Sequence, residues 1–197
     1  MNRRTYLKNS SALLGLTFAN HSIAKFLKTW DDAKVLEWKP ILFTDFQAQM
    51  VAEIAETICP KTSTPGAKEL AVPQFIELMV KDVMSPNDQK VFLDGIQEVD
   101  EKSKNQFGKS FLALDKSQKE SMLIALDKES PNFPPTMWGI VLVEKPDPIT
   151  FFRRIKSLTL TGYFTSEKIG KEVLAYDPIP GKFVPCMPLN GQNAWSE

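Results

Sequence analysis

The sequence predicts an all-α fold, an irregular bundle of about five to six helices with long Pro-rich loops and an extended C-terminal tail. Three observations carry this. Apolar residues recur at three- and four-residue spacing in five separate windows, and most windows open on a capping residue or a first-turn proline. The composition, 43% hydrophobic and 10% aromatic within 197 residues, suits one folded domain with a real core and excludes a disordered chain.

The first helix is expected to start at Thr44, whose side chain caps it while Gln47 returns the bond, with Phe43 and Ala48 placed as a weak staple. Phe46, Met50, Ile54 and Ile58 then form one apolar stripe, and the helix ends at Pro60. The stretch "CPKTSTPGAKELAVP" reads as a structured loop. Pro73 sits in the first turn of a second helix that turns Phe75, Ile76, Met79, Val80 and Val83 inward and stops before Ser85-Pro86. Ser85 caps a third helix running to about Phe107, with Val91, Phe92, Ile96 and Val99 on one side, Asp94, Glu98, Asp100 and Glu101 on the other, and Gly108 as its stop. Asp115 and Gln118 start a fourth, lined by Met122, Leu123 and Leu126. Residues 130–147 hold Pro131, Pro134, Pro135 and Pro146 around the apolar "MWGIVLVE" and form a long excursion rather than a helix. A fifth helix, "PITFFRRIKSLTLTGYF", aligns Phe151, Phe152, Ile155 and Leu158, and a short sixth follows Thr165. From Tyr176 the chain has no period; such a tail is ordered only where it lies on something.

The opening "MNRRTYLKNSSALLGLTFANHSIAKF" has the three zones of a secretory signal: basic Asn2 to Lys8, apolar Ser10 to Ala19, and Ser22-Ile23-Ala24, with cleavage expected after Ala24. Arg3, Arg4, Leu7 and Lys8 fall on the twin-arginine export pattern, with Asn2 and Tyr6 as its departures. That route carries proteins already folded, so the expected location is the periplasm. The organisation read from the sequence is a signal at 1–24, a lead-in at 25–42, a helical domain at 43–176 and a tail at 177–197.

Chemistry is constrained by what is missing. The sole histidine, His21, lies inside the signal, which excludes imidazole-based catalysis, histidine-bound zinc and haem with a histidine ligand. Dinucleotide-binding and phosphate-loop glycine patterns are missing, as is a Cys-x-x-Cys-His haem motif. Three of the 24 basic residues lie in the signal, leaving 21 against 24 acidic, which gives no footprint for nucleic acid. Asp94 and Glu98 lie four apart, but Lys90, Lys102 and Lys104 make that face a solvated, charge-laced one. The cations of "FFRRIK" read as the polar side of an amphipathic helix, and Met50, Met79, Met84 and Met122 as core fillers. Cys59 and Cys186 have three open readings: an internal disulfide worth on the order of 4 to 5 kcal/mol in the chain-entropy account, two free thiols, or one thiol reaching a partner chain.

Three blocks, "ICPKTSTPGAKELAVPQFIELMV", "FLDGIQEVDEKSKNQFGKSFLALDKSQKESMLIALD" and "FFRRIKSLTLTGYFTSEKIGKEVLAYDPIPGKFVPCMPLNG", resemble the gluconate 2-dehydrogenase subunit 3 family. The most specific parts are Gly162 to Glu167 and Tyr176 to Gly181. The resemblance implies a small, helical, non-catalytic subunit of a periplasmic FAD-dependent sugar or sugar-acid dehydrogenase. Its large subunit would be a flavoprotein of the glucose-methanol-choline type that holds the FAD and travels with this chain through the twin-arginine translocase. This chain itself would bind no cofactor or metal, and electrons would pass to a cytochrome c or another acceptor. Tyr163, Phe164, Tyr176, Pro178 and Pro180 are the expected partner contact. Two rivals are a free-standing periplasmic enzyme using paired carboxylates and a self-contained binding module.

Overall fold

A computed structural model of the chain describes residues 38–133, 136–137, 140–141, 149–175 and 191–194. The signal, with Arg3, Arg4, Leu7, Lys8 and Ala24, lies outside the described residues, as do Tyr176, Pro178, Pro180 and Cys186. The described part is an all-α bundle, as the periodicity predicts: α1 (Asp45–Ile58), α2 (Val72–Val83), α3 (Pro86–Phe107), α4 (Lys116–Glu129) and α5 (Phe151–Phe164). A 3-10 turn at Phe111–Ala113 precedes α4, and a π-helical turn at Ile169–Val173 stands where the short sixth helix is expected. Within the Pro-rich excursion, β1 (Thr136–Met137) and β2 (Ile140–Val141) pair antiparallel, Thr136 opposite Val141 and Met137 opposite Ile140.

Each helix begins and ends where its local chemistry dictates. Thr44 and Gln47 close a reciprocal capping box on α1, and Asp115 and Gln118 close another on α4. Ser85 Oγ accepts from the Asp88 N–H at the start of α3, Thr150 Oγ1 from the Arg153 N–H at the start of α5. Gly108 ends α3 in the left-handed conformation at φ +68°. Ala71, ahead of α2, has φ +55° without glycine's freedom and makes no side-chain cap.

α1 packs against all four other helices. Its expected single stripe is therefore replaced by burial nearly all round: Ala48, Met50, Val51, Ala52, Ile54 and Ala55 are buried, while Phe46 is 41% exposed and Ile58 half-buried. The alanines let neighbouring helices close in on faces that a longer side chain would hold apart. Ile76 and Val80 of α2, Phe92, Ile96 and Val99 of α3, Met122, Leu123 and Leu126 of α4, and Phe152 and Ile155 of α5 complete the core. Full burial of one such side chain contributes about 1.5–3 kcal/mol. Val83 and Val91, expected inward, are exposed, because the buried arcs of α2 and α3 centre on Ile76/Val80 and Phe92/Ile96 and those two valines fall beyond the arc. Leu158 is half-buried, and Thr159 is buried instead, its hydroxyl donating to the Ile155 carbonyl.

Aromatic rings link the start of the body to α5: Phe43 stacks on Phe92 at 6.2 Å, and Phe92 meets Phe151 edge-on at 5.0 Å. Two glycines set helix spacing. A Cβ on Gly95 would fall on the Phe151 side chain, and one on Gly162 would lie 2.6 Å from Phe75 Cδ1. Residues 191–194 return to the bundle: the Ala175 N–H donates to the Ala194 carbonyl at 2.9 Å and the Asn193 side-chain amide to the Val173 carbonyl at 2.5 Å.

Gly95→Ala gains about 1 kcal/mol of helix propensity but overpacks against Phe151 at about 1–3 kcal/mol. The net expectation is destabilisation by up to about 2 kcal/mol, read as a lower urea midpoint with unchanged slope.

Candidate functional site

Three carboxylates that sequence periodicity does not single out as buried, Glu53, Glu77 and Asp100, form the polar frame of the bundle. Glu53, on the central helix, accepts from Lys68 Nζ at 2.6 Å and from the buried Lys119 Nζ at 2.9 Å, joining α1, the 59–71 loop and α4. Lys119 also lies over the Phe111 ring, 5.8 Å from its centroid. Asp100 was expected on the solvated side of α3. It is buried instead, because Ser110 Oγ (2.5 Å), the Phe111 N–H (2.9 Å) and Lys104 Nζ (2.6 Å) converge on it and fold the 3-10 turn back over the helix. Burial raises its pKa, but these three donors outweigh burial and hold it below the ordinary carboxylate range.

Glu77 on α2 gathers four donors from the segment before α1: the N–H groups of Ile41, Leu42 and Phe43 on Oε1 and the Trp38 indole on Oε2. Burial again pushes its pKa up, and the hydrogen bonds pull it below its usual value.

The 59–71 loop is as constrained as its prolines imply. Glu56 accepts from the Lys61 and Lys68 N–H groups at 3.1 and 2.9 Å, and Gly66 leaves the space that its carboxylate fills. Glu69 pairs with Lys61 and with Lys168 beyond α5. Tyr163 donates its hydroxyl to the Pro65 carbonyl at 3.0 Å, with Thr64 Oγ1 at 3.2 Å. Cys59, at the end of α1, is a half-buried free thiol whose pKa is raised by burial and by the Glu56 charge.

The cations of "FFRRIK" are ties between helices rather than a free polar face. Arg153 caps the end of α4, donating to the Ser130 and Pro131 carbonyls at 2.9 and 3.1 Å and pairing with Asp127 at 3.3 Å. Lys156 also holds Asp127, and Arg154 reaches Asp88 on α3 at 3.1 Å. Asp94 and Glu98 are exposed, as the charge pattern of α3 predicts.

Of the expected contact residues, Tyr163 and Phe164 are described, and they diverge. Tyr163 is 9% exposed, and its hydroxyl is engaged inside the chain, where it ties α5 to the 59–71 loop. Phe164 is 50% exposed and meets the Tyr163 ring edge-on at 5.3 Å, an aromatic side chain presented from a rigid support. Two shallow hollows run along the α3/α4 seam, about 200 and 320 Å³, sharing Lys102, Leu126 and Glu129; the Lys102–Glu129 ion pair at 3.2 Å spans them. Among the described residues no group of three or more His, Cys, Asp or Glu is gathered for a metal, and no helix is long and apolar enough to cross a membrane.

This arrangement defines a helical scaffold whose buried charges hold loops and helices in place. The family model described as gluconate 2-dehydrogenase subunit 3 matches residues 45–181, and the chain belongs to that family, the accessory subunit of a multi-subunit dehydrogenase. No match was found among curated proteins or among solved structures.

Glu53→Ala leaves the Lys119 ammonium buried without its carboxylate and is expected to cost about 3–5 kcal/mol. Lys68→Ala removes a partner one-third exposed to solvent and should cost no more than about 1 kcal/mol by the same urea titration.

The folded-state pKa values of Glu77 and Asp100 lie below their unfolded ones, so their contribution is complete above the ordinary carboxylate range. It is lost as pH falls through that range toward the depressed values. Glu77→Gln and Asp100→Asn should each flatten the fall in Tm between about pH 7 and about pH 3.

Proposed function

We propose that this chain is the non-catalytic small subunit of a periplasmic FAD-dependent dehydrogenase acting on a sugar or sugar acid of the gluconate or glucoside type. The observation that carries the reading is the family match across residues 45–181. The subunit escorts a larger flavoprotein of the glucose-methanol-choline type and stabilises it. Sugar reduces the FAD held in that partner, and electrons leave for a cytochrome c or another acceptor without entering this chain.

The pattern at Arg3, Arg4, Leu7 and Lys8 supports export through the twin-arginine translocase, with the signal removed after Ala24. A signal on one chain then addresses two folded proteins, because that route carries a partner already docked. The buried carboxylates favour a scaffold over a free-standing carboxylate enzyme: Glu53, Glu77 and Asp100 are each bound to fixed donors that hold the fold. Phe164, with Tyr176, Pro178 and Pro180 in the same specific stretch of sequence, is the proposed contact with the flavoprotein.

The test is co-purification from the periplasm of the native host with a tag at Glu197. A yellow flavin spectrum and a second, larger polypeptide are expected. Changing Arg3 and Arg4 to Lys should strand both proteins in the cytoplasm. A colourless single chain would overturn the proposal.

A further inference from the structure

The segment Trp38–Phe43 lies between the first 37 residues and α1, and one side chain from a later helix holds it. Glu77 is 3% exposed. Its Oε1 accepts the consecutive N–H groups of Ile41 (2.8 Å), Leu42 (2.8 Å) and Phe43 (3.0 Å), and its Oε2 accepts the Trp38 indole N–H at 3.1 Å. Successive N–H groups turned toward one anion form a backbone nest, here filled by the protein's own carboxylate. Among the described residues Glu77 makes no ion pair, so these N–H groups supply the balance for its charge.

Among the described residues the strap makes no other hydrogen bond. Ile41 is 68% exposed, and the buried Phe43 ring on Phe92 anchors its far end. The acceptor lies more than thirty residues downstream on α2, so it reaches the strap only after the 59–71 loop has turned the chain back and α2 has docked on α1. The three N–H groups share one carboxylate oxygen, so replacing its charge by a neutral amide weakens all three charge-assisted bonds together and turns an NH2 toward the Trp38 indole N–H.

We propose that Glu77 is a latch: it fixes the strap Trp38–Phe43 to the helical body once α1, the loop and α2 have packed, and the strap opens as one unit when the latch is lost. A chain whose bundle is incomplete therefore lacks the acceptor that holds the strap between the N-terminal segment and α1. This holds whether or not that segment is an export signal, so it fails or stands independently of the proposed function.

The experiment is amide hydrogen exchange on the full chain, comparing wild type with Glu77→Gln and with Ile76→Val as a mild core control. In Glu77→Gln the amides of Ile41, Leu42 and Phe43 are expected to exchange at least about tenfold faster while those of α4 keep their protection. Ile76→Val, which leaves the latch in place, should accelerate the strap amides no more than those of α4. Uniform acceleration across the chain in Glu77→Gln, or free exchange of the three amides in wild type, overturns the latch. Should Glu77→Gln fail to fold, wild type at low denaturant decides: one shared rate and denaturant dependence for the three amides supports it, and three unrelated rates overturn it.

Discussion

α1 is buried over most of its circumference, and Glu53 places a charge inside that contact. The alanines of α1 allow four helices to approach, and the closeness that follows removes water from Glu53. A buried carboxylate without partners would be costly, so the bundle is organised around supplying Lys68 and Lys119 from two directions. The position of the loop, of α4 and of the 3-10 turn under Lys119 can all be read as consequences of that one requirement.

The same solution recurs at smaller scale. Asp100 folds the turn after α3 onto its own helix, Glu56 shapes the loop after α1, and Asp127 draws two cations of α5 onto α4. In each case a carboxylate on a helix captures backbone or cationic donors from a neighbouring segment. The 59–71 loop and the turn after α3 are thereby given fixed geometry without a long helix or strand, and the exposed surface they present is a defined one. For a protein whose family works within an assembly, a stiff surface lowers the ordering cost of association.

What could be read in the sequence was what depends on neighbours within a turn. Capping boxes at Thr44/Gln47 and Asp115/Gln118, the Ser85 cap and the Gly108 stop are local devices, and each is found where its spacing places it. Burial of Glu53, Glu77 and Asp100 depends on residues ten to sixty-six positions away, and periodicity treats a charged residue as solvent-facing by default. A faint signal existed: Glu53 in "MVAEIA" and Glu77 in "FIELMV" interrupt otherwise apolar runs. Tyr163 shows the corresponding limit for surface residues. It lies in a distinctive block, but its hydroxyl serves Pro65 almost a hundred residues earlier, while its neighbour Phe164 points outward. Sequence marks the block, and only the packing separates the two roles.

The glycines at 95 and 162 carry an implication for how such a chain can change over time. Each occupies space that a ring from another helix already fills, Phe151 in one case and Phe75 in the other. A larger residue at either glycine meets that ring unless the ring shifts or is itself replaced by a smaller one, so substitutions at each glycine and its opposite number are expected to be coupled. A single substitution at a helix contact thus carries a packing cost that one at a solvent-facing side chain does not.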